Sequence, residues 1–244
     1  MGIGKNGVYA RYIKRILDIV FSFLAIILLF WLFVIIAMKV RDNLGTPILF
    51  EQVRPGKDEK FFRLYKFRSM TDERDEYGNL LDDKHRLTEF GKWLRRTSLD
   101  ELPQFWNVLC GDMSLIGPRP QLVRDMVFMT PKQRHRHDVR PGLSGLAQVS
   151  GRNALEWEYK LEKDIEYVQQ ISFRMDISIV MKTISQVVFR KKGLEDSTAD
   201  EIELTDDYGD YLLKEGKISR EEYEKTLDEL SDWGEDLKCS KKKC

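Results

Sequence analysis

An uncharged apolar stretch near the N-terminus constrains the fold of this chain more than any other feature. Residues 19–38 contain no charged side chain, and Ser22 is the only polar residue among them. At a rise of 1.5 Å per residue, a helix of this length could cross a hydrocarbon core of about 30 Å. We therefore expect this stretch to anchor the chain to a membrane.

Basic residues flank the apolar stretch on both sides. They are Lys5, Arg11, Lys14 and Arg15 before it, and Lys39 and Arg41 after it. Because positive residues stay on the cytoplasmic side, both ends are predicted on the same side, as in a helix that enters the membrane, bends and returns. An ordinary span with weak charge bias is an alternative. A cleaved signal peptide fits less well, because the run is long and no small-x-small cleavage site follows it.

The rest of the chain fits one globular domain with appendages. We expect an anchoring helix in residues 1–42, a catalytic domain in residues 43–192 and a charged tail containing a helix in residues 193–244. The predicted fold class is α+β, mostly helical with a small β element. Strands are expected over 48–53 and 61–70, and helices over 87–94, 155–170, 173–189 and 219–230. The amphipathic segment 173–189 fits either the membrane interface or the core.

Charge and cysteine content exclude two classes of protein. The 40 Lys and Arg residues balance the 40 Asp and Glu residues, so nothing indicates a nucleic-acid partner. The three cysteines, Cys110, Cys239 and Cys244, are odd in number and lack metal-binding spacing. A disulfide framework is therefore not expected, and a reducing compartment suits the domain outside the membrane.

Two adjacent carboxylates, Asp100 and Glu101, precede an apolar series with helical spacing. One interpretation is structural: Ser98 caps this helix, Glu101 reaches back as a capping box, and Gly111 ends the helix. The other is chemical, because ionised carboxylates at a helix start suit a nucleophile or a metal ligand. Adjacent helical residues point about 100° apart, so the two acids would have different roles.

Several basic residues are candidates for binding phosphate. Arg119 lies between Pro118 and Pro120, and these prolines hold its backbone stiffly, which lowers the entropy lost when its guanidinium binds phosphate. Arg95 and Arg96 precede the acid pair and could neutralise it or bind phosphate. Lys66 and Arg68 share one face of the predicted strand 61–70, which suits an anionic ligand or, equally, an edge strand protected by charge.

A stretch rich in glycine and small polar residues runs from 140 to 153. It contains Arg140, Ser150, Arg152 and Asn153, and it could wrap a nucleotide or a sugar. It lacks the spacing of known phosphate-binding glycine loops, so the pattern alone is weak.

Ordered motifs over residues 11–192 resemble those of the bacterial sugar transferases known as small monotopic phosphoglycosyl transferases. The motifs are Lys14-Arg15 with Asp18, Arg54-Pro55-Gly56, Lys66-Phe67-Arg68-Ser69-Met70, Ser98-Leu99-Asp100-Glu101-Leu102-Pro103-Gln104, Gly111-Asp112-Met113-Ser114, Gly117-Pro118-Arg119-Pro120, Arg140-Pro141-Gly142 and Ser150-Gly151-Arg152-Asn153. Each motif is short, but their common order makes coincidence implausible.

The resemblance implies transfer of a sugar phosphate from a UDP-sugar to undecaprenyl phosphate, with release of UMP. It implies that Asp100 is the nucleophile that forms a covalent phosphosugar-enzyme and is a ligand of Mg2+. Glu101 would position the metal or help deprotonate the lipid phosphate, and Arg119 would bind phosphate. The expected partners are a UDP-sugar, undecaprenyl phosphate, the lipid bilayer and, as one option, a second copy in a homodimer. The expected location is the cytoplasmic face of the bacterial inner membrane.

The sequence departs from this family at one place. Such proteins typically break their membrane helix at a Ser-Pro pair, whereas residues 28–32 contain no proline, so we expect a less sharp bend. Two other functions fit the residues: a metal-dependent UDP-sugar phosphohydrolase that uses water as acceptor, and a non-catalytic membrane scaffold for glycan assembly.

Overall fold

In a computed structural model, the chain begins with two helices joined at a bend. The structure describes residue 5 and residues 7–150, 157–188 and 207–232. After a π-helical turn (Tyr9–Ile13), α1 (Lys14–Leu28) and α2 (Phe30–Leu44) meet at Leu29, whose φ of −95° and ψ of 7° are not α-helical. The two arms are bent by 64°. The expected bend is therefore present, although no proline produces it.

The two arms together resemble a membrane segment by length and composition. Within the described parts of the chain, no single helix is both long and apolar enough to cross a membrane, but the bent pair satisfies the same criteria as a unit. The apolar side chains at the bend point outward, with 76% of Leu28 and 73% of Trp31 exposed. At Leu28 and Trp31 the bend is therefore an apolar tip that the described residues leave largely uncovered.

The two arms also hold the rest of the domain. Arg15 donates a hydrogen bond to the carbonyl of Val108 at 2.6 Å, at the end of a later helix. The carboxylate of Asp18 is buried and accepts hydrogen bonds from the Ser114 hydroxyl and the Leu115 N–H, both at 3.0 Å. The hydrogen bonds of Asp18 therefore tie α1 to the catalytic domain.

The β structure consists of two small sheets. β1 (Leu49–Pro55) and β2 (Phe61–Phe67) pair antiparallel, and β3 (Ser114–Ile116) and β4 (Gly142–Ser144) pair parallel. In the second sheet a Cβ at Gly142 would lie 2.0 Å from the nitrogen of Gly117, so only glycine allows this approach. The close contact places the loop that follows Gly117, which carries Arg119, against β4.

Most of the described chain is helical, which confirms the α+β prediction. The remaining α-helices are α3 (Asp83–Arg86), α4 (Glu89–Arg96), α5 (Gln104–Cys110), α6 (Val123–Val127), α7 (Pro131–Arg134), α8 (Leu146–Ser150), α9 (Trp157–Gln170), α10 (Phe173–Val188), α11 (Tyr208–Lys214) and α12 (Arg220–Asp232). Three 3-10 turns cover Lys57–Glu59, Leu99–Glu101 and His135–Asp138.

The apolar core connects the membrane arms to the catalytic domain. Ile36 and Val40 of α2 pack with Phe67 of β2 and Leu94 of α4 in one buried cluster. Burial of each such side chain stabilises the fold by about 1.5–3 kcal/mol. Because α2 shares this cluster, the arm and the domain form one folded unit.

The amphipathic helix α10 has an apolar side that other described residues leave uncovered. Phe173, Ile177, Met181 and Ile184 are each between 45% and 61% exposed, while Ile179 is buried. The core interpretation therefore describes one side of this helix, and the interface interpretation stays a prediction for the other side.

Candidate active site

The acid pair lies in a 3-10 turn, Leu99–Glu101, just before α5. The predicted capping box is wrong: Ser98 has a left-handed backbone (φ 57°) and its side chain caps nothing. The helix itself starts at Gln104 and ends at Gly111, whose φ of 98° supplies the expected left-handed terminator. The carboxylate of Glu101 is thus available for contacts away from the backbone.

Lys66 bridges the two carboxylates. Its Nζ lies 3.1 Å from Glu101 Oε1 and 3.6 Å from Asp100 Oδ2. Arg119 donates from Nη2 to the same Glu101 oxygen at 2.7 Å. The structure therefore brings together four residues that the sequence suggested: Asp100, Glu101, Lys66 and Arg119.

The two neighbouring acids have opposite pKa shifts. Burial raises the pKa of Asp100, and the charge of Glu101 adds to that effect, while Lys66 and Arg119 counteract it. For Glu101, burial also acts to raise the pKa, but the charges and hydrogen bonds of Arg119 and Lys66 outweigh it, and the pKa is lowered. Glu101 is therefore the fixed anion of the pair. Asp100 is the carboxylate of the pair whose charge is less compensated by its neighbours.

Two buried residues hold the backbone of Arg119 from behind. Arg136 donates from Nη2 to the Arg119 carbonyl at 2.6 Å and also donates to Asp164 at 2.7 Å. Arg136 and Asp164 are both 2% exposed. The rigidity expected from the two prolines is thus reinforced by a buried ion pair that sequence reasoning missed.

Three other proposed phosphate-binding arginines do not reach the acid pair in the same way. The guanidinium of Arg68 is buried and donates to the backbone carbonyls of Leu44 and Thr46 at the end of α2. Arg95 donates from Nε to Ser69 Oγ at 2.7 Å, although its charge still acts on Asp100. Arg96 is exposed on α4.

The glycine-rich stretch is only partly described. Arg140 donates from Nε to the Gly111 carbonyl at 2.7 Å, so it caps the end of α5. Ser150 donates to the carbonyl of Leu146 within α8. Arg152 and Asn153 lie outside the described residues.

The cations that contact the acid pair line a cavity of about 280 Å3. Lys66 and Arg119 line it, together with a third cation, Arg54. Burial and the charge of Arg119 lower the pKa of Arg54 to about 10. We call these three residues the cationic side. The lining also contains residues that sequence reasoning missed: Leu64, Gln104, Pro120, Gln121, Leu122, Asp125, Trp157 and Asp207.

Arg54, Gln104 and Pro120 had a sequence signal, because each lies in one of the ordered motifs. Asp125, Trp157 and Asp207 approach the cavity from α6, α9 and the residue before α11. We call these three the carboxylate side. No local pattern marks them, since their meeting depends on long-range packing.

The site around Asp100 offers few protein donors for Mg2+. Among the described residues, no group of three or more His, Cys, Asp or Glu side chains could hold a metal ion. Mg2+ does not need such a cage, because proteins usually bind it through one or two carboxylates plus substrate phosphates. Asp100 supplies a hard oxygen donor of this kind, and Glu101 is already held by two cations.

Comparison with known proteins adds to this geometry. The sequence model of the bacterial sugar transferase family matches residues 9–190. The chain belongs to this family. The resemblance found in the motifs is therefore confirmed, and so is the prediction of an enzyme of the transferase class.

Several curated relatives share this sequence. An uncharacterized sugar transferase, EpsL, of Bacillus subtilis is 53% identical over 61% of this chain and 74% of its own length. The UDP-N-acetylgalactosamine-undecaprenyl-phosphate N-acetylgalactosaminephosphotransferase of Aeromonas hydrophila is 41% identical over 74% of this chain. The UDP-glucose:undecaprenyl-phosphate glucose-1-phosphate transferase of Klebsiella pneumoniae is 40% identical over 77% of this chain.

The lengths of these bacterial sugar transferases differ. The match covers 44% of the Aeromonas protein and 42% of the Klebsiella protein. It covers 98% of the exopolysaccharide production protein PSS of Rhizobium leguminosarum, which is 39% identical. The shared region is therefore almost a whole protein in one relative and less than half of two others.

Proposed function

We propose that this bacterial sugar transferase transfers a sugar phosphate from a UDP-sugar to undecaprenyl phosphate and releases UMP. The observation that carries the proposal is the buried Asp100, which lies next to Glu101 and 3.6 Å from Lys66, a cation that lines a cavity together with Arg54 and Arg119. The names of the Aeromonas and Klebsiella relatives describe reactions with the same two substrate classes.

The proposed chemistry proceeds in two displacements at one phosphorus atom. A carboxylate oxygen of Asp100 attacks the phosphorus that carries the sugar, the bond from that phosphorus to the bridging oxygen breaks, and UMP leaves with the bonding electrons. An oxygen of undecaprenyl phosphate then attacks the same phosphorus. This releases the Asp100 carboxylate and yields undecaprenyl-diphosphate sugar.

The surrounding charges make attack by an anion on a diphosphate feasible. Lys66 and Arg119 offset the repulsion between Asp100 and the phosphates and stabilise the charge that develops on the leaving group. Glu101 holds both cations in place, since each contacts its Oε1. Because Glu101 carries this structural duty, its proposed role is to orient Lys66 and Arg119.

We further propose Mg2+ as the cofactor, with Asp100 as its protein ligand. When bound, Mg2+ neutralises phosphate charge during the transfer. The buried, incompletely compensated carboxylate of Asp100 supports this assignment.

The bent helix pair supports a membrane location. An apolar tip at Leu28 and Trp31, with basic residues at both ends, fits a re-entrant helix whose termini remain on the cytoplasmic face of the inner membrane. The exposed apolar side of α10 fits the interface beside it. A membrane-embedded acceptor lipid explains why a catalytic domain would need such an anchor.

The test is a UMP-release assay with the protein in nanodiscs, Mg2+, undecaprenyl phosphate and three donors: UDP-N-acetylgalactosamine, UDP-glucose and UDP-galactose. The proposal expects repeated turnover to UMP only when undecaprenyl phosphate is present. When the lipid is omitted, each protein molecule should release one UMP and keep a phosphosugar adduct on Asp100. UMP release that continues without the lipid acceptor would indicate the phosphohydrolase instead. No release from any donor, with glycan initiation in cells unchanged by Asp100→Asn, would indicate the scaffold.

The membrane topology has its own test. Labelling with a membrane-impermeant reagent in inside-out and right-side-out vesicles should modify cysteines placed at Lys5 and Lys57 from the same side. Modification from opposite sides would show that the helix spans the membrane.

A further inference from the structure

The segment formed by α11 and α12 packs beside the cavity. It follows residue 190, where the match to the bacterial sugar transferase family ends. We propose that this C-terminal segment completes the binding site for the donor's sugar, and that Asp207 accepts hydrogen bonds from the sugar's hydroxyl or amide groups. This inference rests on the proposed function in that it takes the donor to be a UDP-sugar.

Apolar packing docks the segment. Tyr208 is 2% exposed, and its ring lies 5.2 Å from that of Trp157. Met129, Leu161 and Leu212 are buried in the same cluster. Trp157 lines the cavity, so the segment fixes a wall residue by packing against it.

Polar contacts fix the register of the same segment. The backbone N–H of Tyr208 donates to Asp125 Oδ1 at 2.9 Å. Arg124 forms two ion pairs with the segment, Nη1 to Asp207 Oδ2 at 2.7 Å and Nη2 to Asp210 Oδ2 at 3.0 Å. Apolar packing and polar contacts at the first turn of α11 together fix how the segment binds to the rest of the domain.

The two sides of the cavity have complementary chemistry for a sugar diphosphate. The cationic side, Arg54, Lys66 and Arg119, suits the diphosphate. The carboxylate side suits a sugar, because carboxylates accept hydrogen bonds from hydroxyl groups and an indole ring packs on the apolar face of a sugar ring. Arg54 lines the same cavity as Asp125 and Asp207, and the charges of these two carboxylates act to raise its pKa against burial and the charge of Arg119.

Asp207 is the better acceptor of the two carboxylates. Asp125 already receives the Tyr208 N–H on one oxygen and the Leu122 N–H on the other, at 2.9 and 3.0 Å. Asp125 as a whole residue is only 2% exposed, whereas the side chain of Asp207 is 28% exposed.

The relatives give a reason why sugar recognition could lie outside the shared region. The names of the Aeromonas, Klebsiella and Salmonella relatives specify N-acetylgalactosamine, glucose and galactose, respectively. Their common sequence must serve the chemistry that they share. A segment beyond the family match can differ between proteins without disturbing the acid pair.

The test uses two variants with the same charge change, Asp207→Ala and Asp210→Ala. Each removes one ion pair of Arg124, but only Asp207 lines the cavity. Binding of UDP and of the three UDP-sugars is measured by calorimetry in nanodiscs, in an Asp100→Asn background that keeps the donor intact. Thermal unfolding of both variants reports how far each loosens the dock.

Asp207→Ala should weaken the best-bound UDP-sugar about tenfold, the value of one hydrogen bond to a charged group, and leave UDP affinity unchanged. Asp207→Asn, which keeps an acceptor, should lose less. Asp210→Ala should leave both affinities unchanged. Equal losses for UDP and the UDP-sugar, equal losses for the two alanine variants, or no UDP-sugar bound more tightly than UDP would each overturn the inference.

The outcome is separable from that of the proposed function. If the unmodified chain releases UMP but Asp207→Ala binds donors normally, only the sugar-site inference fails. If UDP-sugar binding depends on Asp207 but no UMP is ever released, the sugar site stands and the transfer reaction fails.

Discussion

The two sides of the cavity are built from different parts of the chain. The cationic side comes from β1, β2 and the loop after β3, all within the region that matches the bacterial sugar transferase family. The carboxylate side comes from α6 and α9, which also lie within the match, and from Asp207, which lies beyond it. The cationic side is held by the ion pairs of Lys66 and Arg119 with Glu101. The carboxylate side depends on the packing of Tyr208 against Trp157, which are far apart in the sequence. This difference suggests that reaction chemistry and substrate choice are separated in the structure.

Asp100→Asn gives the largest expected effect, because it removes the proposed nucleophile on the cationic side. UMP release should fall about 1,000-fold or more, as expected when a covalent catalyst loses its reactive group. The amide is nearly isosteric, so thermal unfolding should change little. The control is Asp83→Asn on exposed α3, which should retain full activity; comparable activity in both variants would contradict covalent catalysis by Asp100.

Lys66→Met comes next, because it removes the cation that bridges both acids. We expect turnover to fall about 100-fold, since charge stabilisation by one positioned group is worth roughly that much. Lys60→Met changes an exposed cation just before β2 and serves as the matched control. A drop of the same size in both variants would show a general charge effect rather than a site effect.

Asp164→Asn tests whether the buried ion pair behind Arg119 contributes to the cationic side. Removing one partner of a buried pair destabilises a protein by about 3–5 kcal/mol, so the unfolding temperature should drop clearly. Turnover of the folded fraction should fall roughly tenfold, as expected for a small displacement of a positioned group. The double variant Arg136→Met, Asp164→Leu should recover stability without recovering turnover; recovery of both would limit the pair to a structural role.

Gly209→Val acts on the carboxylate side alone. A Cβ at Gly209 would lie 2.5 Å from the Phe128 ring, so the C-terminal segment should move away from α6. We expect faster proteolysis after residue 206 and a loss of donor affinity of only a few fold, with catalysis otherwise retained. The control is Glu215→Val at the exposed end of α11. Loss of Asp100 adduct formation in Gly209→Val would show that the two sides are not separable.

The smallest expected effect is on the pH dependence of stability, through the buried side chain of His137. Its charged neighbours are Arg134, Arg136, Asp138 and Glu59. Burial and the charges of Arg136 and Arg134 lower the pKa of His137 to about 3. Below pH 6.5 the unfolded chain binds a proton that the folded chain excludes, so stability present above pH 6.5 is lost as pH falls toward 3. The unfolding temperature of His137→Gln should therefore depend less on pH between 6.5 and 4; identical pH profiles would contradict this.

The sequence predicted the cationic side well because its residues lie in short motifs. Lys66, Asp100, Glu101 and Arg119 were each singled out, and the structure brings them within hydrogen-bond or ion-pair distance of one another. Arg68 failed for a definable reason: β2 ends at Phe67, and the next side chain turns back to the end of α2. Strand alternation does not apply beyond the last strand residue.

The carboxylate side could not be predicted in this way. The sequence around Asp207 is an acidic run, which is typical of a solvated tail. Its position depends on Tyr208 packing against Trp157, a contact between residues 51 positions apart. Similarly, Ser98 and Glu101 have capping-box spacing, but Glu101 binds Lys66 and Arg119 instead, since cations outcompete a backbone N–H for a carboxylate.

The contacts of Arg15 and Asp18 with the catalytic domain mean that the proposed anchor also fixes the distance between the bilayer and the acid pair. Arg15 attaches α1 to the far end of α5, and Asp18 attaches it to β3. The seven residues of α5 span about 10 Å, and the acid pair lies just before the other end of this helix. In the proposed orientation, the height of Asp100 above the bilayer is therefore set by the length of α5. An acceptor phosphate would meet the phosphosugar at one fixed depth, whatever the length of the isoprenoid chain below it.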